Sequence, residues 1–99
     1  MDDQPTTEEQ SKARKSKATL AREVLANDIK WLMGNRQGRR IAWRQLDRAG
    51  VYRTSFGGNA DTTNFNEGQR NMGLMLIADI HAHAPEAYTQ MLAESRAKE

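Results

Sequence analysis

The chain has 99 residues, 37% hydrophobic and 28% charged, against usual values of roughly 45–50% and about 25%, which describes one small domain with a thin core. Mean hydropathy is −0.86, no apolar run approaches the roughly 18 residues that span a bilayer, and the acidic start Met1-Asp2-Asp3-Gln4-Pro5 is unlike a secretory signal. Cysteine is absent, which excludes disulfides, thiolate metal sites and cysteine nucleophiles, and the net charge of +2 is too small to argue for any partner.

The first stretch, Met1 to Lys17, has no large apolar residue after Met1 and the composition of a solvated arm. Four acids and no bases lie in residues 1–10; five bases (Lys12, Arg14, Lys15, Lys17, Arg22) and no acids lie in residues 11–22. Thr7-Glu8-Glu9-Gln10 has capping-box spacing, so the arm can also be an extension of the first helix. We therefore divide the chain into a polar arm, 1–17, and a helical domain, 18–99. From Leu20 the pattern is amphipathic: Ala21, Leu25, Asp28 and Leu32 are three or four apart, and Val24 and Ile29 widen the stripe. Gly34-Asn35 is a stop signal.

A second helix fits Arg36 or Gln37 to Ala49, with Gly50 as a left-handed terminator. Its apolar positions are Ile41, Ala42, Trp43, Leu46 and Ala49, and Gly38 lies in its first turn, where a glycine costs least. Residues 51–64 form a 14-residue irregular connection, long enough to suggest an interaction role. Gly57-Gly58-Asn59 suits positive φ, and Phe56 is expected to anchor the segment on the helices. Asn64, three residues before Glu67, is expected to cap a third helix reaching Ala84. That helix carries apolar residues on two sides, as a central helix does. Gly68 and Gly73 sit inside it at about 1 kcal/mol each relative to Ala; they point about 140° apart and should admit two different neighbours. Pro85 starts a fourth helix with Tyr88, Met91, Leu92 and Ser95 on one face.

Arg36, Arg40, Arg44 and Arg48, spaced four apart, form one ridge on the second helix, with Arg39 beside it and Arg53 just beyond. Arginine's planar fork suits both phosphates and carboxylates. The plainer reading is a solvated face with internal pairs to Glu67, Asp79 or Glu86. Trp31, Trp43, Tyr52 and Phe56 lie near these arginines; such aromatics stack bases in single-strand binders, but in a small bundle they are core. Asp79 and His83 share a helix face, yet no third ligand has convincing spacing, so no metal or other cofactor is expected. Ser55, Thr62 and His81 lack a nucleophile elbow, and Gly57-Gly58-Asn59 lacks a P-loop lysine. The chain does not read as an enzyme.

The run Gly38-Arg39-Arg40, Trp43-Arg44-Gln45-Leu46, Ala49-Gly50-Val51-Tyr52-Arg53 and Ser55-Phe56 resembles a family of small proteins of short-tailed bacteriophages, typified by a small Bordetella phage protein. Gly58-Asn59, Asn64-Phe65-Asn66-Glu67-Gly68, Arg70-Asn71, Gly73-Leu74, Ala84-Pro85-Glu86 and Tyr88 extend the resemblance, which runs from about Ile29 to Leu92. It implies a virion-associated protein, made in the bacterial host cytoplasm, and carries over no catalytic residue. Trp43, Gly50, Phe56, Asn64, Phe65 and Glu67 read as fold-specifying positions, with Phe56 and Phe65 bracketing the loop.

The expectation is an all-α bundle of three to four helices acting as a phage structural component. Several copies would assemble at the portal, tail or internal core, through Arg36, Arg39, Arg40, Arg44, Arg48 and Arg53. The partners would be other phage structural proteins, including copies of itself. The rival is a nucleic-acid-binding module using the same ridge together with Lys12–Arg22. A third reading is a regulator of host functions absent from the particle.

Overall fold

Glu8 and Glu9 in the first turn and Lys30 in the last complement the dipole of a long first helix, α1 (Thr7–Met33). The computed structural model describes residues 7–97, with 12–15 as backbone only. Three further helices follow: α2 (Arg36–Ala49), α3 (Ala60–His83) and α4 (Pro85–Arg96). The described residues contain no strand, so the protein is an all-α bundle. Of the polar stretch 1–17, residues 1–6 lie outside the described residues, and from Thr7 onward the chain is helical and continuous with α1.

Burial on α1 begins late. The described side chains from Thr7 to Leu25 are exposed; Ile29 and Met33 are buried. The stripe expected to start at Ala21 therefore reaches the core only in its last two turns, because α1 outruns the helices it packs on. Leu20, Val24 and Leu25 are left in solvent.

Asn35 ends α1 and starts α2. Its Nδ2 donates to Trp31 O (2.9 Å), while its Oδ1 accepts from Gly38 N (2.7 Å). Gly38 is fixed by packing: a Cβ there would stand 1.7 Å from the Leu32 carbonyl oxygen. The inward face of α2 is Gly38, Arg39, Ala42 and Leu46. Gly50 closes the helix as expected, at φ 75°, with its N–H on the Asp47 carbonyl.

The following connection is shorter than the sequence suggests. Asn59, rather than Asn64, caps α3; its Oδ1 accepts from Thr62 N (2.9 Å), and Asn64 is an exposed position inside the helix. Asp61, Thr62 and Thr63 fall within the irregular connection expected over residues 51–64. They are absorbed into the helix because the Asn59 cap satisfies its first free donors and the Thr63 hydroxyl accepts from Gly57 N (3.1 Å). Glu67 does not cap either; it accepts from the Ser55 hydroxyl, and Asn66 Nδ2 donates to Ser55 O (3.0 Å). Polar bonds thus hold the loop, and Phe56 and Phe65 are 71% and 66% exposed, neither anchoring nor bracketing it against the core.

α2 packs on the other three helices, and α3 on α1 and α4. Gly73 marks the α2–α3 contact: a Cβ there would lie 2.4 Å from Val51 Cγ2 and 2.7 Å from Ala49 Cβ. Gly68, expected to face a second neighbour, faces open space. The core is Ile29, Met33, Ala42, Leu46, Val51, Ile80 and Met91, joined by partly buried Leu76, Ile77, Tyr88 and Leu92. The radius of gyration is 19.3 Å, against about 13 Å for a compact chain of this length.

Candidate partner-binding surface

The arginines of α2 divide by where the helix turns them. Arg39 faces inward and is buried. Its Nε meets Glu94 Oε1 at 2.5 Å, and its Nη1 donates to the Met33 carbonyl (3.0 Å). That carbonyl is one of the free acceptors at the end of α1, so Arg39 ties α1, α2 and α4 together. The sequence reading sets it beside the ridge as a partner-binding residue; its position one residue before Arg40 instead puts it on the inner face with Gly38 and Ala42. Arg36 also reaches Glu94 (3.3 Å) but is largely exposed. Arg53 folds back on the end of α2, donating to the Asp47 carbonyl (2.7 Å) and pairing with its carboxylate (3.5 Å).

Three of the six candidate arginines therefore have internal partners. Arg40, Arg44 and Arg48 are exposed, and none has an ion pair among the described residues. The internal acceptors weighed from sequence were Glu67, Asp79 and Glu86, but the structure uses Glu94 and Asp47. Glu94 had a readable signal: it lies three residues after Met91, on the buried side of α4.

The Arg39 hydrogen bond holds the Glu94 carboxyl below its ordinary pKa, against the opposing effect of partial burial; the positive charges of Arg36 and Arg40 add to the lowering. A cleft of about 170 Å³ opens here between α2 and α4. Arg36, Arg39 and Arg40 line it with Trp43, Met91, Glu94 and Ser95.

Trp43 is half-buried, not enclosed in the core as its neighbours Leu46 and Ala49 suggested. One ring face stacks on Tyr52 at 5.4 Å and 25°, and the ring also lines the cleft. The Tyr52 hydroxyl shares a 2.7 Å hydrogen bond with that of Tyr88, which lies 4.5 Å from the His81 ring. Burial, then this bond, raises the Tyr52 pKa.

The surface thus offers a row of exposed guanidinium groups, without ion pairs among the described residues, beside a cleft with one aromatic wall. Arg and Trp are the residue types that concentrate binding energy at protein interfaces. Among the described residues, no three His, Asp or Glu side chains gather as a metal site, and no helix is long and apolar enough to cross a membrane.

No curated protein and no solved structure matches the chain. A family model described as Bbp19-like phage protein matches residues 29–93, which takes in α2, α3, most of α4 and the whole of the arginine surface, and the chain belongs to that family.

Proposed function

We propose that this phage protein is a non-catalytic structural component of the virion. It is made in the host cytoplasm and assembles in several copies in the portal, tail or internal core region. Its Arg40–Arg44–Arg48 edge binds an acidic surface on another phage structural protein. The observation that carries this reading is the division of the arginines: the fold engages Arg36, Arg39 and Arg53 internally and leaves Arg40, Arg44 and Arg48 on one exposed edge with no ion pair among the described residues.

The chemistry beside the edge favours protein over nucleic acid. Glu94 sits in the same cleft as Arg36 and Arg40 and repels a phosphate and a carboxylate alike; what favours a protein is the apolar lining from Trp43 and Met91, on which an apolar neighbour of a carboxylate bound at Arg40 and Arg44 can rest. Charge-assisted arginine–carboxylate bonds fix orientation as well as adding energy.

The test is Arg40→Glu with Arg44→Glu. Both side chains are exposed, so the monomer should stay folded. Incorporation into particles should fail, because like charges now face each other. The same variant and the wild type are titrated with DNA at two salt concentrations. Normal incorporation refutes the binding edge. Wild-type DNA binding whose salt slope falls by about 2 in the variant replaces the protein partner with nucleic acid.

A further inference from the structure

Among the described residues eleven large hydrophobic side chains are exposed, and eight of them lie on α1 and α3.

Six of these eight are ordered along two lines, one on each helix. On α1, Leu20, Val24 and Trp31 follow one line at spacings of four and seven, opposite buried Ile29 and Met33. On α3, Phe65, Met72 and Met75 follow another at seven and three, about a quarter turn round the helix from buried Gly73 and Ile80. All six are 58–75% exposed. Gly68 lies in the α3 line with nothing within 4 Å of the place its Cβ would take, so the backbone there is open to a close neighbour.

We propose that the outer stripe of α1 in one copy packs along the outer stripe of α3 in a second copy of this chain. Both stripes have the spacing of a helix-pairing seam. The charges are complementary. Residues Thr7 to Arg22 carry five bases and two acids, whereas α3 carries three acids and one base. Asp61 and Asp79 stand at the two ends of the α3 line, neither with an ion pair among the described residues, and Lys17 continues the α1 line. The length of α1 needs such a neighbour. From Thr7 to Leu25 it runs about 28 Å with its described side chains exposed, and a lone helix of that size is marginal in water. The two stripes are different surfaces, so the contact is exchanged reciprocally in a dimer or continued around a ring.

This deepens the multi-copy assembly proposed above but does not depend on the arginine edge. The test uses the purified full chain with no other phage protein. Since the chain has no cysteine, single-cysteine variants Val24→Cys and Met72→Cys can cross-link only between copies. Mixed under oxidising conditions, they should give a disulfide-linked Val24–Met72 pair several-fold in excess of either self-pair. In sedimentation the wild type should associate, and Met72→Glu with Met75→Glu should be monomeric with unchanged helicity. A monomeric wild type, or a Val24 variant that couples mainly to itself, overturns the inference. Either result leaves the Arg40–Arg44 incorporation test untouched, and a failure of that test leaves this pairing untouched.

Discussion

Gly68 and Gly73 lie five residues apart in α3, and the same substitution should act on them with opposite sign. Replacing glycine by alanine in a helix interior gains about 0.8–1 kcal/mol from backbone preference alone. At Gly68 nothing stands within 4 Å of the new Cβ, so Gly68→Ala should realise that gain, raising the melting temperature by about 4–8 °C for a domain of this size. At Gly73 the new methyl would lie 2.4 Å from Val51 Cγ2 and 2.7 Å from Ala49 Cβ. Ala49 has no rotamer by which to withdraw, so α2 and α3 must separate. Overpacking costs about 1–3 kcal/mol, here at the upper end, leaving Gly73→Ala about 2 kcal/mol less stable after the helix gain. Urea titration followed by circular dichroism at low protein concentration measures both. A neutral or stabilising Gly73→Ala would refute the close α2–α3 approach, and a destabilising Gly68→Ala would show that the outer face of α3 is covered within the monomer.

Neighbouring arginines should also part company: Arg39→Ala should lower the melting temperature clearly, because it strips the buried link between Met33 and Glu94, while Arg40→Ala should leave it unchanged. Because Arg39 lowers the folded-state pKa of Glu94, the stability this contributes is present above the ordinary carboxylate range and lost as pH falls through the depressed value. Thermal melts across acid pH should show that loss in the wild type and a flatter profile in Glu94→Gln. At protein concentrations low enough to keep the chain monomeric, Phe56→Ser and Phe65→Ser should each change stability by less than about 0.5 kcal/mol, as exposed positions do; denaturant midpoints of the monomer showing a multi-kilocalorie loss would restore their role as anchors.

The helices were legible in the sequence because their boundaries rest on local chemistry. Asn35, Gly50 and Pro85 act within a turn of where they stand, and the structure uses each of them. Asn64 misled because Asn59 supplies the same cap five residues earlier, with the Thr63 hydroxyl holding the loop against the helix. Burial was less legible. Periodicity gave the apolar stripe of α1 but not how far along it the bundle extends, so Leu25 was expected inside and Ile29 is where burial starts. Aromatic side chains were assigned to the core on their size, yet Phe56 is held in place by the polar bonds of its neighbours, and Trp43 is shared between a Tyr52 stack and an open cleft. The arginine ridge was visible as spacing. Its division into members with and without internal partners was not, since it depends on Glu94, 55 positions beyond Arg39 in the chain.

If this phage protein is a multi-copy part of the particle, peptide mass spectrometry of purified virions, with its copies counted against those of the portal subunit, should find it at several copies in a fixed ratio to the portal. Its absence from purified virions, with the protein present in infected-cell lysate, would rule out a structural role in the particle and leave a factor that acts only inside the host.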